Sequence, residues 1–93
     1  MGERAVYRPG KDIVGITVET MKQEIRERVE KSEGDFVVSL EGVEMIDSKG
    51  IGLLIATYNS LTPKGRKLVL AKVIPDIVRL LRTMRLDRHF SIE

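Results

Sequence analysis

Ninety-three residues with 42% hydrophobic and 32% charged positions describe one domain, residues 1–93, with a single core. Only four aromatic residues occur (Tyr7, Phe36, Tyr58, Phe90), so that core is aliphatic, and the lack of cysteine excludes disulfides and thiolate metal or redox sites. Sixteen Lys and Arg against fourteen Asp and Glu give a formal charge of +2. No apolar run approaches the ~20 residues of a membrane span, and the N-terminus lacks a signal-peptide apolar region. The expected location is cytoplasmic, with no membrane contact.

"RAVYR" reads as a short strand stopped by Pro9-Gly10. Thr17 is the expected N-cap of an amphipathic helix with Val18, Met21, Ile25 and Val29 on one face. Lys22, Glu24, Arg26, Glu27, Arg28 and Glu30 occupy its other face, and Gly34 is the expected C-cap. "DFVVSL" is a compact apolar run, as in a parallel-sheet strand buried on both faces, and "EGVEMID" is expected to continue in extended form.

From Ser48 the period changes. Ile51, Leu54, Ile55, Tyr58 and Leu61 fall on one helical face, and Pro63 to Gly65 end the helix. "KLVLAKV" is the next strand. "IPDIVRLLRTM" opens with a proline suited to a first helical position and places Ile77, Val78, Leu80, Leu81 and Met84 inward. "HFSI" closes the chain as a last short strand. The order β-α-β-α-β-α-β predicts an α/β fold with a mainly parallel sheet of four to five strands and three to four helices.

Lys64, Arg66, Lys67, Lys72, Arg79, Arg82, Arg85 and Arg88 make the C-terminal third basic. They alternate with apolar residues and have no aromatic stacking platform beside them. A solvated face is the first reading, an acidic protein partner the second, and nucleic acid the last.

The stretch "MIDSKGIG", Met45 to Gly52, lies where a strand feeds a helix, the edge at which parallel sheets place their sites. Ser48 there fits an N-cap hydroxyl, with Gly50 and Gly52 letting the first turn pack against neighbouring backbone. A nucleophilic role needs a base, and the only histidine, His89, lies far along the chain. "DSKGIG" also departs from the nucleophile-elbow pattern. No carboxylate pair, metal-ligand cluster or Walker-type loop supplies another chemistry, so neither enzyme activity nor a cofactor or metal is expected. A phosphate acceptor suits the position: a helix N-terminus offers amides and positive potential to an anion. Lys49 adds a cation and Asp47 a repulsion.

These residues resemble the STAS domain, in particular bacterial anti-sigma factor antagonists. "VYRPGKD" is similar to a family strand ending in a glycine and an acidic residue, here Gly10 and Asp12. "FVVSLEGVEMIDSKGIGLL" resembles the central signature, and "GRKLVLAKVIPDIVRLLRTMRLDRHFSI" the closing strand, helix and strand. The resemblance implies that Ser48 is phosphorylated by a partner anti-sigma factor, an ATP-using serine kinase. The unmodified antagonist binds that kinase and frees a sigma factor; phosphorylation breaks the complex, and a serine phosphatase restores it. It further implies a partner surface of Asp12, Asp47, Lys49, Gly50 and Ile51, without direct nucleic-acid contact. Lys49 departs from the small residue common at that place. The rival reading is a non-catalytic STAS scaffold or sensor subunit in which Ser48 only caps its helix.

Overall fold

A computed structural model describes residues 4–93, and the alternation of apolar runs read from the sequence becomes four strands and three α-helices. Strand β1 (Ala5–Tyr7) leads to helix α1 (Gly15–Glu30), and β2 (Phe36–Ser39) to α2 (Ser48–Leu61). A 3₁₀ turn (Thr62–Lys64) follows, then β3 (Leu68–Ala71), α3 (Pro75–Thr83), a second 3₁₀ turn (Leu86–Arg88) and β4 (Ser91–Ile92). All neighbouring strands pair in parallel, in the order β1-β2-β3-β4. The expected parallel α/β sheet is thus present at the smaller strand and helix numbers foreseen.

Register explains why the apolar runs sit where they do. Ala5 pairs with Phe36 and Phe36 with Leu68, while Tyr7 pairs with Val38 and Val38 with Leu70. Alternate residues share a face, so these side chains line one side of the sheet. That side holds the core, to which α1 contributes Met21, Ile25 and Val29, α2 Ile51, Leu54 and Leu61, and α3 Ile77 and Leu81. Three helices sharing one apolar cluster with one sheet face is what right-handed crossovers produce when strands follow in sequential order. Every residue of β2 is buried, as its continuous apolar run implies.

Several boundaries differ from expectation. Helix α1 starts at Gly15, two residues before Thr17, whose hydroxyl instead accepts from the Val14 amide (3.0 Å) and donates to the Asp12 carbonyl (2.7 Å). The segment "EGVEMID" turns rather than extends. Gly42 has φ +83°, and the only β contact in this segment is an isolated parallel bridge from Ile46 to Ile13. Met84 is 46% exposed because α3 stops at Thr83, and Ile55 faces partly outward.

Helix α1 ends at Glu30 with Lys31 as its C-cap, ahead of the expected Gly34. Its exposed carbonyls are closed by Arg66, which is buried. The guanidinium donates to Gly34 O (2.6 Å), Val29 O (3.1 Å) and Ser32 Oγ (2.8 Å). A planar fork with fixed donors meets three acceptors that a lysine point charge cannot satisfy together. Arg66→Ala and Arg66→Lys are both expected to destabilise the domain, the alanine by about 2–3 kcal/mol, read as a shift in the urea unfolding midpoint.

Candidate functional site

The carboxyl ends of β1 and β2 are joined by two loops that hold each other. Ile13 N–H donates to Met45 O (3.1 Å), and Asp47 N–H donates back to Ile13 O (3.3 Å). Asp12 reinforces the join. Its Oδ1 accepts from the amides of Glu44 (2.9 Å) and Met45 (3.1 Å), so one carboxylate oxygen fixes the turn that leads into the site.

Asp47, half-buried, takes the N-cap position of α2 in extended backbone, φ −94° and ψ −174°. Its Oδ1 accepts from Gly50 N (2.9 Å) and its Oδ2 from Gly15 N (2.9 Å). The carboxylate therefore caps its own helix and the first turn of α1 simultaneously, satisfying an unpaired donor at each. These contacts hold its pKa below the usual carboxylate range, led by the Gly50 amide and then that of Gly15. Burial opposes the shift, and the Lys49 amide and ammonium add smaller contributions to it.

Ser48 was expected to cap α2; the structure gives that role to Asp47 and makes Ser48 the first residue within the helix. The serine is exposed, and its hydroxyl makes no hydrogen bond among the described residues. Lys49 is exposed next to it, its side chain lying over the first turn of α1: a Cβ built on Gly15 would stand 3.3 Å from Lys49 Cδ.

Gly50 and Ile51 belong inside. Ile51 is 5% exposed within the core, and a Cβ on Gly50 would lie 2.1 Å from Ile13 O. The sequence admits them both as backbone-fitting and core residues and as part of the partner surface; here they form the packing base on which that surface rests. Gly52, expected to fit backbone like Gly50, has open space around it. Two exposed aliphatic side chains unmarked by the sequence reading flank the corner: Ile16 at 92% and Met45 at 59% exposure. The signal for Ile16 was its phase, because it falls off the Met21-Ile25-Val29 stripe yet is apolar.

His89, the sole histidine, is far from this corner and packs against the Tyr58 ring at 5.4 Å between centroids. No group of three or more His, Asp or Glu side chains among the described residues could hold a metal ion. No helix among them is long and apolar enough to cross a membrane.

A sequential all-parallel sheet, with a carboxylate-capped helix start at the carboxyl ends of its first two strands, defines a class of small α/β domains. The chain matches the STAS domain family over residues 2–93 and belongs to it. Its fold is shared with TM1081 of Thermotoga maritima, a candidate anti-sigma factor antagonist. The crystal structure of that protein superposes with a TM-score of 0.88 at 21% identity, covering 99% of this chain and 83% of that one. Its NMR structure gives 0.82 at 23% identity, over 97% and 73%. The anti-sigma factor antagonist SpoIIAA, in its unphosphorylated form, matches at a TM-score of 0.74 and 15% identity, covering 100% and 86%.

Two neighbouring glycines should respond oppositely. Gly50→Ala forces backbone apart and is expected to unfold or strongly destabilise the domain, whereas Gly52→Ala should stabilise it by up to about 1 kcal/mol; urea denaturation of both variants decides. Acid sensitivity offers a separate check on Asp47. Because its folded pKa is lowered, its stabilising contribution is present above about pH 4 and is lost as the pH falls through the lowered value. Asp47→Asn should therefore be less stable at neutral pH and lose less stability on acidification, as followed by urea midpoints across pH.

Proposed function

We propose that this STAS domain is an anti-sigma factor antagonist switched by phosphorylation at Ser48. The reading rests foremost on one observation: the serine hydroxyl at the start of α2 is exposed and spared from capping, because Asp47 satisfies the helix in its place. Kinship with the STAS family and a fold shared with proteins named as anti-sigma factor antagonists support the role.

The unmodified domain binds an anti-sigma factor kinase, and the sigma factor held by that kinase is released. The docking surface combines the exposed side chains of Ile16 and Met45 with Ser48, Lys49 and the outer edges of Asp12 and Asp47. Apolar contacts supply the drive to associate, and the small serine lets the partner approach closely. The open side of Gly52, one turn beyond Ser48, extends this flat region along α2.

Phosphorylation transfers the γ-phosphoryl group of ATP to Ser48 Oγ, with ADP leaving and the hydroxyl proton lost. It adds about −1.5 to −2 charges at neutral pH. The positive end of α2 tolerates the new anion, and Lys49 partly offsets it. Asp47 already holds the Gly15 and Gly50 amides, so the phosphate remains a solvated charge at the surface rather than a new internal contact. A partner that must bury this corner then has to desolvate a dianion beside a fixed carboxylate. Release follows from that cost, and the fold stays as it was. A phosphatase that hydrolyses the ester resets the surface.

The domain acts as substrate and ligand of the kinase, with no catalytic step of its own. Incubation with the anti-sigma kinase and ATP is expected to add one phosphate by mass spectrometry, and none to Ser48→Ala. Ser48→Asp should keep a melting temperature within a few degrees of the parent while binding the kinase at least about tenfold more weakly. A wild-type chain that gains no phosphate, or an aspartate variant that binds with parental affinity, removes the switch.

A further inference from the structure

The basic C-terminal third leaves one surface unexplained by the switch. Between Arg79 and His89 the chain carries four arginines, no lysine and one acidic residue, Asp87. Arg79, Arg82, Arg85 and Arg88 are all exposed. Arg79 is engaged by Asp76, but Arg82, Arg85 and Arg88 make no side-chain hydrogen bond or salt bridge among the described residues. Met84, 46% exposed, sits among them.

Arg85 carries the second observation. It follows the last turn of α3 in left-handed backbone, φ +60°, where glycine is the usual residue. The other non-glycine at positive φ, Lys72 (+56°), has an internal partner in Glu41 at 3.6 Å. Arg85 has none. A bulky side chain held in left-handed backbone without a polar partner gains the fold no hydrogen bond or ion pair, and glycine adopts that backbone more readily. Such outliers mark functional surfaces.

We infer that the Arg82-Met84-Arg85-Arg88 surface docks a carboxylate-rich segment of a second protein partner. Guanidinium forks match carboxylates in bidentate geometry, and Arg and Met are side chains that protein interfaces favour. Nucleic acid fits less well. The nearby rings are spent on one another, Tyr58 lying against His89 (5.4 Å) and Phe90 (5.8 Å), so no free stacking platform remains there, and Asp87 opposes a phosphate backbone. A lipid surface calls for a broader apolar face than Met84 provides. The surface precedes β4, at the end of the sheet where strands begin, opposite the Ser48 corner. It is separate from the proposed switch and does not depend on it.

The test uses the whole chain and a fluorescein-labelled octaglutamate peptide, followed by fluorescence anisotropy at low and physiological salt. The triple variant Arg82→Gln/Arg85→Gly/Arg88→Gln is expected to lose at least about tenfold in affinity. The control Lys22→Gln/Arg26→Gln/Lys31→Gln, which removes the same charge from α1 and its C-cap, should retain most of it. Arg85→Gly alone should weaken the peptide while its melting temperature equals or exceeds that of the parent, separating binding from folding. No binding by the parent, or equal losses in the two triple variants, overturns the inference. So does a duplex oligonucleotide or a phosphatidylserine vesicle that binds this surface more tightly than the peptide does.

Discussion

One carboxylate holds the functional end of this domain together. Asp47 reaches the amide of Gly50 in its own helix and the amide of Gly15 at the start of another, residues 32 positions apart in sequence. Each contact satisfies a donor that a helix start leaves open, and both draw on the positive potential of a helix N-terminus. The convergence requires the loops to lie very close, which Gly50 permits by presenting no Cβ to Ile13 O. Geometry and charge thus depend on each other here: without the close approach the second amide is out of reach, and without the carboxylate two helix starts face each other with unpaired donors.

That arrangement divides labour between adjacent residues. In a helix with a serine cap, the hydroxyl is committed to the backbone and modifying it disturbs the capping hydrogen bond. Here the cap lies one residue earlier, so the hydroxyl of Ser48 is structurally idle. A site that is to be modified and restored repeatedly benefits from this separation, because the chemistry never draws on the stability of the fold. The same logic assigns the aspartates a structural part whatever they do for a partner. Both oxygens of Asp47 and one of Asp12 are occupied by backbone amides, leaving only their outer edges to meet another protein.

The element order was legible in the sequence because it depends on periodicity, and periodicity survives without knowledge of neighbours. β2 reads as buried from "FVVS" alone, and the Met21, Ile25 and Val29 stripe places α1 correctly. What failed were assignments decided by distant residues. Asp47 and Ser48 are equally good caps by residue type; the Gly15 amide, supplied by the start of a separate helix, is an acceptor's partner that no local pattern reveals. Gly34 looked like a helix terminator because the guanidinium of Arg66 was out of view. Gly50 and Gly52 are indistinguishable as letters, and only the approach of Ile13 separates them. Ile51 could be read both into the core and onto the partner surface, since a site motif and a core stripe overlap on one helix turn, and its burial puts it in the core.

The two ends of the molecule differ in how charge is managed. At the carboxyl ends of the first two strands the carboxylates of Asp12 and Asp47 are tied to backbone donors, while Glu41 pairs with Arg8 and Lys72. At the opposite end, the guanidiniums of Arg82, Arg85 and Arg88 have no hydrogen-bond or ion-pair partner among the described residues, and Arg85 sits in left-handed backbone. Ten residues of α2 separate Ser48 from Tyr58, which packs beside the second end, a span of about 15 Å at helical rise. The Debye length at physiological salt is about 8 Å, so a phosphate on Ser48 is largely screened from the arginines. Helix α2 spans that distance as one uninterrupted element, Ser48–Leu61. A partner on the proposed arginine surface would therefore stay bound while the proposed switch at Ser48 releases another.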